Sequence, residues 1–153
     1  MLRRLKDKIL GYATHVRLVR QDLGTLHGFP EGRINAAVLC ESLHRCADPA
    51  AVLAHVYRSL KAGAVLSLSV RLDGVDPLFG HLWDHLEAAD LFDNLKHQFG
   101  HVHAFEQEMA TTGVYRFLAS PEVRTLIQEA GFAIQEELTG LQDGHTLLFK
   151  ARK

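Results

Sequence analysis

Histidine is frequent in this chain, and two histidines have the spacing of metal ligands. The chain has ten histidines among 153 residues, and His81 and His85 stand at positions i and i+4 of a segment with helical periodicity, with Asp84 between them. Two imidazoles at this spacing share one helix face and can bind one metal ion. Because the pattern provides no convincing fixed third ligand, we favour a solvated, weakly basic helix face over a metal site.

The two cysteines, Cys40 and Cys46, form a second pair of reactive side chains. They fall where an apolar run ends and a loop begins. A disulfide between them would distort the end of the strand to reach its narrow geometry, and the pair lacks the close spacing usual for zinc. We therefore expect two reduced thiols, as is usual in the cytoplasm.

Aromatic side chains are concentrated in the second half of the chain, and two roles are open to them. They could line a pocket for an apolar or aromatic substrate, or they could seal a sheet as core residues. The second role is the more common for aromatic residues at helical spacing, and we prefer it here. The residues concerned are Phe79, Trp83, Phe92, Phe99, Phe105 and Tyr115.

The elements that must position these residues begin with a strand, a helix and a second strand. The apolar run AAVLC predicts a strand covered on both faces. Asp48 and Pro49 then predict a helix start, with a stripe of apolar residues behind it and Gly63 as its end. AVLSLSV predicts the second strand, which is expected to run parallel to the first.

The remainder of the chain predicts a helical cover and a hairpin. Periodic leucines between residues 75 and 118 favour one or two helices over the sheet. Ser120 predicts a helix cap, with Pro121 in the first turn and Gly131 as the end. Two strands around the turn GLQDG then predict an antiparallel hairpin. At the other end of the chain, residues 1–10 predict a short basic amphipathic helix and residues 15–22 a strand.

The overall composition excludes several classes of partner. Seventeen basic and eighteen acidic residues give a net charge of −1, so no general attraction to nucleic acid or to an anionic membrane is expected. No apolar run has the length of a signal peptide core or a membrane span. We expect a cytoplasmic protein with a single domain over residues 1–153.

Three motifs, in this order, resemble those of class I S-adenosylmethionine-dependent methyltransferases, of the type-11 or ubiquinone-biosynthesis-like group. LKAGA resembles the LKPGG turn of that family, and EAGF resembles its closing motif. The exit from the first strand, LHRCADP, resembles the corresponding family segment through Leu43, His44, Asp48 and Pro49. The resemblance implies an α/β fold: an incomplete Rossmann-like methyltransferase sheet with a helical cover and a C-terminal antiparallel hairpin.

The resemblance also implies roles for individual residues. Asp22 would accept a hydrogen bond from the adenine amino group of S-adenosylmethionine, and Leu23 would contact the adenine ring. Cys40 and Glu41 would border the sulfonium. His44 would face the substrate, where a histidine can act as a base, although packing at a strand-to-helix turn is the simpler role and the one we favour.

One part of the family pattern is missing from these 153 residues. No strand leads into a glycine-rich turn and a helix, which in the family receives the methionine portion of the cofactor. We therefore expect a truncated methyltransferase-like protein that hardly binds the cofactor alone. Its exposed strand edge predicts a homodimer or a partner chain, unless residues 15–23 fold back onto that edge. The alternative is a degenerate binding, scaffold or regulatory module.

Overall fold

A computed structural model describes residues 23, 30–72, 75–141 and 145–153. The predicted N-terminal helix and the strand at residues 15–22, including Asp22, lie outside the described residues. Within them the chain forms four strands and four helices. The strands are β1 (Ile34–Cys40), β2 (Leu60–Arg71), β3 (Ala133–Leu141) and β4 (Thr146–Arg152), and the helices are α1 (Pro49–Ser59), α2 (Val75–Ala88), α3 (Phe92–Thr111) and α4 (Ser120–Glu129).

The four strands form one sheet in the order β1-β2-β4-β3. β1 and β2 are parallel, with Val38 opposite Ser67, as the strand-helix-strand pattern predicts. β4 is antiparallel to both of its neighbours and pairs Phe149 with Leu68 of β2 and with Glu137 of β3. The predicted C-terminal hairpin is therefore present, and its second strand lies next to the centre of the sheet.

Helix α1 begins where its sequence predicts and ends earlier. The carboxylate of Asp48 accepts a hydrogen bond from the Ala51 N–H at 2.9 Å, and Pro49 is the first helical residue. The prediction that Gly63 ends the helix is wrong. The helix ends at Ser59, and Gly63 lies within β2 with a φ of 77°. Tertiary pairing of this segment with the C-terminal strand outweighs its local turn signal, because the Gly63 N–H donates to the Lys153 carbonyl.

Helix α4 is displaced by one residue from its predicted start. Ser120 is the first helical residue and Ala119 is the cap, without a side-chain capping hydrogen bond. The helix ends as predicted, because Gly131 has a φ of 99° and donates its N–H to the Gln128 carbonyl. A positive φ at this position suits glycine, which has no Cβ to clash with its own backbone.

One face of the sheet carries the main core, and the opposite face is largely exposed. In β2, the side chains of Leu66, Leu68 and Val70 are fully buried, whereas the alternating residues Ser67 and Ser69 are only half-buried. Helices α1 and α4 contribute Val52, Leu53, Val123 and Ile127 to the same core.

Strand β1 follows this pattern, so the prediction that AAVLC is covered on both faces is wrong. Leu39 is buried, but Val38 on the other face is 74% exposed. Among the described residues, β1 has a strand partner on one side only. The apolar run predicted burial because a continuous apolar strand normally lies between two layers, and the described part of the chain provides one layer.

The helical cover is a hairpin of α2 and α3, held together by aromatic rings. The ring centroids of Phe79 and Phe99 are 4.9 Å apart, and those of Trp83 and Phe92 are 4.4 Å apart. These rings pack the two helices against each other and do not belong to the main core. Phe105 is exposed, and Tyr115 lies elsewhere, beside His44.

Cys40 is exposed and Cys46 is buried, and the structure shows no disulfide between them. No helix in the described ranges combines the length and the apolar character needed to cross a membrane.

Candidate functional site

The carboxyl ends of the parallel strands β1 and β2 meet the first residue of β4 at one edge of the sheet. Open α/β sheets bind ligands at this edge. Cys40 ends β1 and is exposed, and the hydroxyl of Ser69 in β2 lies 3.5 Å from its sulfur. Thr146, at the start of β4, directs its hydroxyl toward the carboxylate of Glu41 at 3.5 Å.

Glu41 is held in an unusual backbone conformation at this edge. Its φ is 42°, which is uncommon for a residue other than glycine and is a conformation enriched at functional sites. Its N–H donates to both the carbonyl and the hydroxyl oxygen of Ser69, each at 3.0 Å. These bonds fix the strand end and place a carboxylate where the chain leaves the sheet.

The structure brings only some of the predicted cofactor residues together. Cys40 and Glu41 share the carboxyl edge. Leu23 instead packs against the core from the side of β1, where it helps to line a cavity of about 280 Å³ with Ala37, Leu39 and Val56. Asp22 is not described, so its role remains a prediction.

His44 lies in the short turn Leu43–Arg45 that follows β1, and its side chain is only 1% exposed. Its ring stacks on Phe117 with centroids 5.4 Å apart, and the edge of Tyr115 meets it at 5.3 Å. The Arg116 N–H donates to the His44 carbonyl at 2.7 Å. These contacts attach the segment after α3 to the turn after β1.

The surroundings of His44 keep its imidazole neutral. Burial lowers its pKa from 6.5 to about 4, and the positive charges of Arg45 and Arg71 act in the same direction. The Arg45 Nε–H donates to His44 Nε2 at 3.2 Å, so the ring proton lies on Nδ1. Nδ1 is buried and has no hydrogen-bond partner among the described residues. The nitrogen of His44 that could accept a proton as a base already accepts a hydrogen bond from Arg45. A role of His44 as a base remains a prediction.

Two arginines next to His44 converge on one buried carboxylate. Glu106 of α3 accepts from Arg45 through Oε1 at 3.0 Å and from Arg71 through Oε2 at 3.1 Å. Arg71, at the end of β2, is 3% exposed and Glu106 is 7% exposed. Aromatic rings support both guanidinium groups, with Arg45 over Tyr115 at 5.1 Å and Arg71 over Phe117 at 5.3 Å. We call Arg45, Arg71 and Glu106 the arginine cluster.

The arginine cluster was missed by the sequence analysis. A weak signal existed for Arg71, since a charged residue directly after the buried strand residue Val70 marks the functional edge of a sheet. No signal existed for Glu106. Its place on α3 has no pattern that distinguishes it from Glu108, which is exposed two residues later. Only the folded structure, in which α3 lies beside Arg45 and Arg71, shows that Glu106 and not Glu108 contacts the two arginines.

An apolar groove of about 390 Å³ lies between the two cover helices. Its walls come from Phe79, Leu82 and Leu86 of α2 and from Leu95, Phe99 and Val102 of α3. His85 also reaches this groove, whereas the side chain of His81 lies outside what the structure describes. Among the described residues, no group of three or more histidine, cysteine or acidic side chains is placed to hold a metal ion.

Comparison with known proteins finds similarity to methyltransferases in both sequence and structure. The family model described as a methyltransferase domain matches residues 1–68. No curated protein sequence is similar enough to match the chain.

Solved structures match the fold over almost the whole chain. A putative methyltransferase from Bacillus halodurans has a TM-score of 0.65 and 18% identity, covering 99% of this chain and 78% of that one. The 1,6-didemethyltoxoflavin-N1-methyltransferase from Burkholderia thailandensis, solved with bound 1,6-didemethyltoxoflavin and S-adenosylhomocysteine, has a TM-score of 0.62 and 16% identity, covering 97% of this chain and 56% of that one. A complex of the Haloferax volcanii Trm112 methyltransferase activator with a putative methyltransferase has a TM-score of 0.57 and 13% identity, covering 99% of this chain and 76% of its match.

These matches confirm the predicted resemblance to S-adenosylmethionine-dependent methyltransferases and the predicted α/β fold class. At identities of 13% to 18% the structural matches establish the fold alone.

Proposed function

We propose that this chain provides the substrate-side part of an S-adenosylmethionine-dependent small-molecule methyltransferase, with one wall of the cofactor site. The observation that carries the proposal is the carboxyl edge of β1 and β2, where Glu41 follows the exposed Cys40. A carboxylate at this edge suits a cationic sulfonium, because opposite charges attract strongly at a partly buried site. S-adenosylmethionine supplies an activated methyl group when bound, and Glu41 would help to hold its charged end.

The described residues fit one side of the cofactor only. The 153 residues contain no glycine-rich strand-turn-helix, whose backbone N–H groups would receive a carboxylate. A micromolar ligand is held by about 8 kcal/mol, so the loss of half of this leaves affinity in the millimolar range. We therefore propose that the chain alone binds the cofactor weakly and that a partner completes the site.

The cofactor proposal is tested by ligand-observed NMR, which measures millimolar affinities. S-adenosylmethionine carries a positive sulfur and S-adenosylhomocysteine a neutral one, so the two ligands differ in the charge that Glu41 would contact. We expect dissociation constants in the millimolar range, and we expect Glu41→Gln to weaken S-adenosylmethionine severalfold more than S-adenosylhomocysteine.

The matched control is Glu129→Gln, which removes an exposed carboxylate at the end of α4 and should change neither affinity. Equal losses for both ligands in Glu41→Gln would contradict the role of Glu41. Binding by the unmodified chain at tens of micromolar would contradict the incomplete site and leave the methyltransferase proposal standing.

A second candidate function is a module that acts through a partner or a second copy of itself. The exposure of Val38 supports it, as does the pairing of β1, which has a strand partner on one side only within the described part of the chain. An apolar strand with an unpaired edge favours association. The similar Haloferax volcanii protein is part of a complex with an activator. We propose a cytoplasmic homodimer or hetero-complex that covers this edge, in keeping with the small net charge.

A further inference from the structure

The arginine cluster has the construction of a carboxylate-binding site. Two guanidinium groups from different elements, the turn after β1 and the end of β2, each donate to one oxygen of the same carboxylate. The aromatic rings beneath them restrict their orientation, so little entropy is lost when a planar anion binds. Both guanidinium groups carry a positive charge, and His44 beside them is neutral.

The carboxylate in this site belongs to Glu106 of the helical cover, and it lies beyond the residues that line the apolar groove. Leu95, Phe99 and Val102 line the groove, and Glu106 follows Val102 by one helical turn on the same face of α3. Four residues rise about 6 Å along the helix axis. The groove therefore leads along α3 toward the two arginines.

We propose that Arg45 and Arg71 bind the head group of a small hydrophobic carboxylic acid whose apolar part lies in the groove, and that Glu106 occupies this site when the acid is absent. The apolar groove selects the body of the ligand and the two guanidinium groups select its charge. Binding of the acid requires no cofactor, whereas its identification as the methyl acceptor rests on the proposed function.

The fluorescence of Trp83, the single tryptophan of the chain, reports binding in the groove. Its ring centroid lies 5.7 Å from that of Phe99, which lines the groove. Sodium octanoate, 1-octanol and sodium acetate are titrated while tryptophan fluorescence is followed. We expect octanoate to bind at least tenfold more tightly than octanol, and acetate to leave the fluorescence unchanged. Equal affinities for octanoate and octanol would overturn the proposal, because the arginines would then contribute nothing.

Two variants test the head-group site itself. Glu106→Gln removes the competing charge, so octanoate should bind about tenfold more tightly than in the unmodified chain. Arg45→Gln should weaken octanoate about tenfold and leave octanol unchanged. Glu108→Gln, at an exposed position of the same helix, is the control for the loss of charge and should change neither affinity.

Circular dichroism establishes that each variant is folded. If Glu106→Gln does not fold, the octanoate and octanol titrations of the unmodified chain and of Arg45→Gln decide the proposal. Failure of Glu106→Gln to tighten octanoate in a folded protein would overturn it. These titrations contain no S-adenosylmethionine, so their outcome is independent of the cofactor experiment.

Discussion

His44 is almost completely buried between aromatic rings and next to two arginine side chains. Its ring is stacked on Phe117, bonded to Arg45 and buried, and its pKa is lowered from 6.5 to about 4. A neutral imidazole of this kind positions its neighbours in the folded protein. Its Nε2 accepts from Arg45, and Arg45 in turn binds Glu106.

The lowered pKa of His44 predicts a loss of stability in mild acid. Between pH 6.5 and about 4 the unfolded chain binds a proton at His44 and the folded chain does not, so the free energy of unfolding falls as the pH falls through this window. At about 1.4 kcal/mol per pKa unit, the loss amounts to about 3 kcal/mol.

Urea unfolding of the unmodified chain and of His44→Leu at pH 7 and pH 4.5 measures this loss. Leucine has a similar volume and does not titrate. All other titratable groups are the same in the two proteins, so the difference between their pH dependences of unfolding reports on His44. We expect the variant to lose less stability on acidification than the unmodified chain does. Parallel losses in the two proteins would mean that His44 titrates normally in the folded state.

At the scale of elements, the contact between α1 and the end of α4 restricts Gly131. A Cβ on this residue would lie 2.9 Å from the ring of Tyr57, and the φ of 99° is already unfavourable for other residues. Tyr57 is held in place by the ring of Phe132, whose centroid is 5.0 Å away, and by the Lys153 ammonium group, 4.5 Å from its own centroid. The ring therefore has little freedom to move aside.

Gly131→Ala is expected to destabilise the chain more than a glycine replacement with backbone strain alone. Gly113→Ala is the matched control, because its φ is 73° and no atom lies within 4 Å of the added Cβ. We expect the control to cost about 1 kcal/mol for the positive φ, and Gly131→Ala to cost at least about 1 kcal/mol more for the clash. Thermal unfolding measures both, and equal costs would contradict the close contact with Tyr57.

The order of the described elements could be predicted from sequence, whereas their exposure and the arginine cluster could not. Asp48 and Pro49 mark the start of α1 through local chemistry, and such signals act within a few residues. Gly63 was assigned to a helix end because its strand pairing with the C-terminal residues is distant in sequence. The role of Glu106 could not be predicted for the same reason, because its partners Arg45 and Arg71 are 61 and 35 residues away in sequence.

At the scale of the whole molecule, we propose that copies or partners meet at the edge of β1, which has a strand partner on one side only among the described residues. Val38 is 74% exposed, and strands with unpaired edges and apolar faces associate readily. We expect the unmodified chain to sediment as a dimer or larger species at high micromolar concentration. Val38→Lys should shift it toward monomer without a change in unfolding temperature, because the side chain has few contacts to lose.

Val114→Lys is the control for this experiment. Val114 is 52% exposed in the segment after α3, so the same change there should leave association unaffected. A clean monomer of the unmodified chain in sedimentation would contradict association through β1. A monomer produced equally by both variants would attribute association to general surface hydrophobicity.

The alternation along β2 also determines how freely this surface can change in evolution. Leu66, Leu68 and Val70 are fully buried, so folding of the chain itself restricts these positions. Val65, Ser67 and Ser69 lie between them on the opposite face and are half-buried. Selection on this second set comes from whatever meets that face. A lineage could therefore exchange one partner for another through alternate positions of a single strand while the folding core stays constant.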